Sequence, residues 1–89
     1  MPIAAAAARD GADVTIRYWA AARAAAGCDS EHFKGRRVGD VLEAAAAAHA
    51  GLGVVLGVST ILRDGRPVTD TQALSEDTIL EVLPPFAGG

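Results

Sequence analysis

The segment Thr78-Ile-Leu-Glu-Val-Leu83 constrains the fold more than any other part of this sequence. Alternate residues of a strand point to opposite faces of a sheet, so Leu80 and Val82 share one face while Ile79 and Leu83 share the other. Apolar side chains on both faces are typical of a strand in the centre of a sheet. A helix layer covers only one of these faces, so the other is covered by loops or left open for a partner.

A second apolar strand lies near the beginning of the sequence. Val14-Thr-Ile-Arg-Tyr18 alternates between apolar and polar residues, which predicts a half-buried strand. The first and last strands are the most apolar, and we expect both in the centre of the sheet. The alanine-rich residues 1–13 are predicted to be a flexible extension, because a short alanine run is marginal as a helix without tertiary support. The folded domain is therefore expected over residues 14–83.

The segments between these strands predict a mixed α+β domain. The main helix is expected over residues 39–50, where apolar residues recur at helical spacing. These are Val38, Val41, Leu42, Ala45 and Ala48. The other expected elements are a short helix over Ala20–Ala26 that stops at Gly27, an edge strand over Cys28–Lys34, a strand over Ser59–Arg63 and, after the Asp64-Gly65 turn, a short return strand from Pro67. The segment Gly51–Gly57 is interrupted by glycines and matches neither the helical nor the strand periodicity, so it is not assigned to an element. This order lacks regular βαβ alternation, which favours one sheet with one main helix packed on one face.

Length, charge and cysteine content exclude several classes of function. A chain of 89 residues fits one domain, and 20 of them are alanine, so the core is modest. The net charge of −3 gives no basic footprint for nucleic acid. The single cysteine, Cys28, cannot form an internal disulfide, and no apolar stretch approaches the roughly 20 residues that span a bilayer. We expect a cytoplasmic module that acts through protein partners, without nucleic acid or membrane.

The sequence ends in a tail with an unusual composition: Pro84, Pro85, Phe86, Ala87, Gly88 and Gly89. The two prolines cannot donate ladder hydrogen bonds, so they end the strand and direct the chain away in an extended form. The small residues that follow fit a narrow channel, and the α-carboxylate of Gly89 has no Cβ beside it to hinder attack. The tail therefore predicts delivery of a reactive C-terminal carboxylate into the active site of another protein.

A partner surface is predicted beside the tail. Ile79 and Leu83 share the sheet face that the main helix leaves uncovered, and Phe86 follows them in sequence. We expect these three apolar side chains to bind a stable heteromeric partner. The alternative is that Phe86 folds back as a cap on the core.

Residues Val14–Gly89 resemble the ubiquitin-like sulfur carriers of the MoaD/ThiS family, most closely the small-subunit type of molybdopterin synthase. The motifs are Val14-Thr-Ile-Arg-Tyr18, the helix around Glu43, Asp64-Gly-Arg-Pro-Val68, Leu74-Ser-Glu-Asp-Thr78 and Leu83-Pro-Pro-Phe-Ala-Gly-Gly89. The resemblance implies a ubiquitin-like β-grasp fold with the C-terminal strand parallel to the N-terminal one. Residues 1–13 are additional to the family pattern, and Arg63 stands where members often carry asparagine.

The resemblance also implies a mechanism and partners. An ATP-dependent adenylating enzyme would convert the Gly89 carboxylate to an acyl-adenylate, and a sulfur donor protein would replace AMP to leave a thiocarboxylate. The tail would then enter the large subunit of molybdopterin synthase and give its sulfur to a pyranopterin precursor of the molybdenum cofactor. Such small–large pairs are expected to dimerise through the large subunit as a heterotetramer. The chain itself would be a non-catalytic carrier with no bound cofactor, since the adenylating partner uses the ATP.

Other functions remain open at this point. Carriers for thiamine thiazole or cysteine synthesis share the Gly-Gly end, and a ubiquitin-like modifier would join Gly89 to a lysine or would serve only as an interaction module. Intact mass measurement after activation discriminates these classes.

Four other candidate sites are disfavoured by the sequence. Cys28 has no neighbouring cysteine and is expected to be structural or incidental, while His32 and His49 lack companions at metal-ligand spacing, so no metal site is predicted. The Asp29-Ser30 pair resembles an acyl-carrier serine, but Glu31 follows it in a strand-like segment. Gly51–Gly57 lacks the Lys-Ser/Thr ending of a phosphate-binding loop.

Overall fold

The computed structural model describes residues 11–85 of the chain, and residues 1–10 and 86–89 lie outside this range. The described residues form five strands and three helices. They are β1 (Ala12–Tyr18), α1 (Ala20–Ala26), β2 (Ser30–Gly35), α2 (Val38–Ala48), α3 (Leu52–Val58), β3 (Thr60–Arg63), β4 (Arg66–Pro67) and β5 (Thr78–Leu83).

The strands form one mixed sheet in the order β2-β1-β5-β3-β4. β1 pairs in parallel with β5, from Val14 opposite Thr78 to Tyr18 opposite Val82. The other neighbouring strands pair antiparallel. The expected central position of the first and last strands is therefore confirmed, and so is the α+β, ubiquitin-like β-grasp fold.

The core lies between one face of this sheet and the helices. The central strands contribute Val14, Ile16, Leu80 and Val82, all fully buried. The helices contribute Val38, Val41, Leu42, Ala45, Ala22, Ala26 and Leu52 to the same cluster. Much of the helical contribution is alanine, so the helices can lie close to the sheet. Within residues 11–85, none of the side chains on the opposite face of β1 and β5 belongs to this cluster.

Several expected boundaries are confirmed. α1 and β5 have the predicted limits, and Gly27 ends α1 in the left-handed conformation with φ of 75°. β2 is an edge strand, as its polar sequence predicts. The main helix, α2, is present but runs over Val38–Ala48 and not over the predicted residues 39–50. Its predicted stripe is buried except for Ala48, which is exposed.

Three expectations need correction. β1 begins at Ala12, not Val14, because Ala12 and Asp13 pair with Gly35 and Lys34 of β2. The predicted extension over residues 1–13 is thus two residues shorter, and residues 1–10 of it lie outside the described residues. The return strand is Arg66–Pro67 and does not include Val68. β2 runs over Ser30–Gly35, not Cys28–Lys34, because these are the residues that pair with β1.

The unassigned segment after Gly51 is the third helix, α3. Gly51 permits the sharp turn from α2 because its φ of 87° lies in the left-handed region. α3 packs against both α1 and α2 and buries Leu52 completely. Gly53 and Gly57 disfavour a helix by intrinsic propensity, so tertiary packing stabilises it.

We expect substitutions in β5 to separate the two faces of the sheet. Leu80→Ala removes a fully buried side chain and should lower the free energy of unfolding by about 2–5 kcal/mol. Ile79→Ala, at a neighbouring residue that is 50% exposed, should cost about 1 kcal/mol or less. Urea titrations followed by circular dichroism measure both, and equal losses in the two variants would contradict the assignment of faces.

Candidate functional site

The strand that leads to the tail is held on both sides. β5 lies between β1 and β3, and its last residue, Leu83, pairs with Thr60. On the other side the backbone N–H of Trp19 donates a hydrogen bond of 3.2 Å to the carbonyl oxygen of Val82. Pro84 and Pro85 follow outside the strand, as the sequence predicts. The chain therefore leaves a rigid sheet at a fixed point.

Four of the predicted tail residues, Phe86, Ala87, Gly88 and Gly89, lie outside the described residues. Their predicted roles, including the reactive carboxylate of Gly89, therefore remain predictions. Pro84 is half-buried and Pro85 is exposed. The described structure thus supplies the base of the tail.

Next to this base lies the sheet face that the helices leave uncovered, which we call the open face. It is defined by side chains that alternate with the buried ones: Thr15, Arg17, Leu62, Ile79, Glu81 and Leu83. Ile79 is 50% exposed, and Leu62 and Leu83 are half-buried. The structure therefore brings the two described members of the predicted partner surface, Ile79 and Leu83, to one face.

Trp19 adds an aromatic side chain to this region that the sequence analysis did not identify. Its Nε1–H donates a hydrogen bond of 3.3 Å to Oε2 of Glu81, a residue of the open face. The Arg17 guanidinium carbon lies 5.3 Å from the centre of the Trp19 ring, within the range of a cation–π contact. Trp19 is 38% exposed. The signal was present in the sequence, because Trp19 continues the alternation of Thr15 and Arg17 one step beyond the strand.

A second group of polar side chains lies on the helical side of the sheet. Tyr18 donates its hydroxyl hydrogen to Oε1 of Glu31 at 2.8 Å, and Nε2 of His49 lies 2.7 Å from the same oxygen. Cys28 lies beside them, with all three possible ligand atoms of Cys28, Glu31 and His49 within 4.8 Å of one another. Spacing along the sequence gave no hint of this group, because it joins a loop, a strand and the end of α2.

The electrostatics of this group oppose an activated nucleophile. Partial burial raises the pKa of the Cys28 thiol, and the carboxylates of Glu31 and Asp29 raise it further. Burial and the hydrogen bond to Glu31 likewise raise the pKa of Tyr18. A catalytic thiol requires the opposite, a basic neighbourhood that favours the thiolate.

The remaining sequence candidates are placed apart from this group. His32 and Ser30 are exposed on β2, opposite Thr15 and Arg17, and so lie on the open face. The Gly51–Gly57 segment belongs to α3 from Leu52 onward, so it does not form a phosphate-binding loop. Within residues 11–85, no helix is long and apolar enough to cross a membrane.

Comparison with solved structures gives several matches over most of the chain. A putative molybdopterin converting factor subunit 1 from Pyrococcus furiosus has a TM-score of 0.75 and 25% identity, covering 85% of this chain and 100% of that one. The small archaeal modifier protein 1 from Methanosarcina acetivorans has a TM-score of 0.78 and 25% identity, covering 88% and 97%. A chain from the complex of subunits 1 and 2 of the Helicobacter pylori molybdopterin-converting factor matches with a TM-score of 0.64, covering 86% of this chain and 99% of that one. Its identity of 22% shows similarity of fold alone.

Sequence comparisons assign the family. Comparison with curated proteins gives no significant match. The ThiS family profile, in contrast, matches residues 16–89, which extend from the middle of β1 through β5 to the end of the tail. The expected resemblance to MoaD/ThiS carriers is thereby confirmed. Since this match extends over most of the 89 residues, the chain belongs to the ThiS family.

Proposed function

We propose that this chain is a sulfur carrier whose Gly89 carboxylate is adenylated, converted to a thiocarboxylate and used to donate sulfur to a pyranopterin precursor of the molybdenum cofactor. One observation carries the proposal: β5, which leads to the Pro84-Pro85 tail, is fixed in the centre of the sheet between β1 and β3. Such a base aims a thin C-terminal segment without a flexible hinge at its origin. The family match to Gly89 supports the same assignment.

The proposed chemistry needs few groups on this chain. A carboxylate oxygen of Gly89 attacks the α-phosphorus of ATP in the adenylating partner, and pyrophosphate leaves. The terminal sulfur of a donor persulfide then attacks the activated carbonyl carbon and displaces AMP. A thiol cleaves the resulting sulfur–sulfur bond, becomes part of a disulfide, and leaves the thiocarboxylate on Gly89. The partners supply the acids, bases and phosphate ligands, while the absence of a Cβ at Gly89 leaves both attacks unhindered.

The open face is the proposed docking surface for the partners. Ile79 and Leu83 offer apolar area beside the tail, and Trp19 and Arg17 are residue types enriched in the energetic centres of interfaces. A partner seated on this face would receive the tail directly, because both belong to β5 and its continuation. We therefore assign to it the large subunit of molybdopterin synthase and, in turn, the ATP-dependent adenylating enzyme. The sulfur donor protein then needs access only to the tip.

Two observations favour the molybdopterin branch. The tail sequence Leu83-Pro-Pro-Phe-Ala precedes the final glycines, as in the small-subunit type that the sequence resembles. The P. furiosus structure, named as subunit 1 of a putative molybdopterin converting factor, is covered completely by this chain. In H. pylori the same fold occurs in a complex of subunits 1 and 2. Thiamine-thiazole and cysteine carriers are the alternatives within the same chemistry.

A second candidate function is a ubiquitin-like modifier. It is favoured by the similarity to the small archaeal modifier protein of M. acetivorans, which has a TM-score of 0.78. In that case the activated Gly89 would be joined to a lysine amine of a target protein, and no sulfur would be transferred. The two functions share the adenylation step and differ in the nucleophile that follows.

Activation of the purified chain distinguishes these functions by intact mass. Incubation with an adenylating enzyme, ATP and a persulfide donor should add the mass of one sulfur-for-oxygen exchange at Gly89. The chain lacking Gly89 should fold normally and show no exchange, because its carboxylate is one residue short of the reaction centre. An isopeptide adduct in place of the exchange would support the modifier. Full sulfur transfer by the Gly89-deleted chain would overturn the proposal.

Docking on the open face is tested by two matched substitutions. Ile79→Asp places a charge in the proposed interface and should weaken binding to the large subunit by roughly 10–100-fold. Val54→Asp, at an exposed valine of α3, should leave the affinity unchanged. Calorimetric titration with the large subunit measures both, and thermal unfolding confirms that both variants fold. Phe86→Asp should also abolish co-purification, and wild-type affinity in Ile79→Asp would exclude the open face as the interface.

A further inference from the structure

The described structure gathers three metal-ligating side chains that the proposed sulfur carrier function does not use. Cys28 lies in the turn after α1, Glu31 in β2, and His49 at the C-terminal end of α2. Their thiol, carboxylate and imidazole ligand atoms all lie within 4.8 Å of one another. Three different segments converge on this point, so the arrangement is a product of the fold.

We propose that Cys28, Glu31 and His49 bind one divalent transition-metal ion, with Zn²⁺ as the cation that fits this donor set best. Zinc is bound in proteins by cysteine sulfur, histidine nitrogen and carboxylate oxygen, and it has no strict preference among these donors. Three protein ligands leave the fourth tetrahedral position for water, which is the composition of an open zinc site. Magnesium and calcium require oxygen ligands and are disfavoured by the thiol and the imidazole.

The burial of the group suits an ion that enters from solvent. The side chains of His49 and Glu31 are 22% and 25% exposed, and Cys28 is also half-buried. A cation therefore reaches the ligands from outside, while the surrounding protein lowers competition from water. The neighbouring Asp29 is 85% exposed and paired with Arg23 at 3.6 Å, so the net negative charge beside the ligands is that of the Glu31 carboxylate. The local charge therefore favours a cation.

Outer contacts hold the ligands in place. The Tyr18 hydroxyl donates a hydrogen bond of 2.8 Å to Glu31, and the backbone N–H of Tyr18 donates one of 2.8 Å to the carbonyl oxygen of Asp29. Tyr18 thus fixes both the carboxylate and the turn that carries Cys28. Its ring is buried, with 2% exposure, so the anchor is rigid. In metal sites, hydrogen bonds of this kind orient the side chains that coordinate the ion.

Metal binding is tested on the full chain after removal of metals and with a phosphine reductant. Zn²⁺ titrated in competition with a chromophoric chelator should bind at one ion per chain. Co²⁺ should give a thiolate-to-metal charge-transfer band and intense visible bands of tetrahedral cobalt. Cys28→Ser and His49→Gln should each lower the Zn²⁺ affinity at least about 100-fold, and Tyr18→Phe about 10-fold.

Two controls separate this site from other ligands. His32 follows Glu31 directly in β2, and its side chain lies on the open face. His32→Gln should therefore leave the Zn²⁺ affinity unchanged. Removal of Gly88-Gly89 should also have no effect, which separates metal binding from the carrier chemistry of the tail. The site therefore stands or fails independently of the proposed function.

Thermal unfolding gives a readout that does not depend on spectroscopy. At a free Zn²⁺ concentration about 100 times the dissociation constant, the unfolding temperature of the wild-type chain should rise by roughly 10–20 °C. Cys28→Ser should show no such rise. The proposal is overturned if the wild-type chain gives no cobalt–thiolate band, or if His32→Gln weakens binding as much as His49→Gln.

Discussion

The parallel pairing of β1 with β5 is the interaction on which the rest of this structure depends. It joins segments more than 60 residues apart, with Val14 opposite Thr78 at one end and Tyr18 opposite Val82 at the other. On the helical face of these two strands Val14, Ile16, Leu80 and Val82 are fully buried, so the register is fixed by the hydrophobic core. A slip by one residue would turn Leu80 to solvent. The same register determines where β5 ends and hence where the tail begins.

Sequence patterns were sufficient to predict the elements whose stability depends mainly on residues close in sequence. β5 was predicted correctly because its side chains alternate between the two faces of the sheet and because the prolines that follow mark its end. α3 was missed because it is apolar on all sides and contains two glycines, so its stability comes from packing on α1 and α2. The first two residues of β1 were missed for a similar reason: Ala12 and Asp13 extend the strand by pairing with β2, and their own sequence contains no strand signal.

The candidate sites differ in the same way. The open face could be predicted, because Ile79 and Leu83 alternate with buried residues in a strand that was recognised from sequence. The Cys28–Glu31–His49 group could not, since metal-ligand spacing describes ligands that are close in sequence. Here the turn after α1 and the end of α2 bring distant ligands together around β2. Only the packing of α2 on β2 makes them neighbours.

The central sheet separates two kinds of chemistry. On the open face, side chains need only be complementary to a partner, because the reactive group of the proposed function is the main-chain carboxylate of Gly89. On the helical face, Glu31 and the buried hydroxyl of Tyr18 require satisfied polar contacts, and Glu31 and His49 provide them for each other. A metal ion at that position would replace the contact between Glu31 and His49 by bonds from the metal to both side chains. Because its ligands lie on the helical side of the sheet, binding there would leave the open face free for a partner.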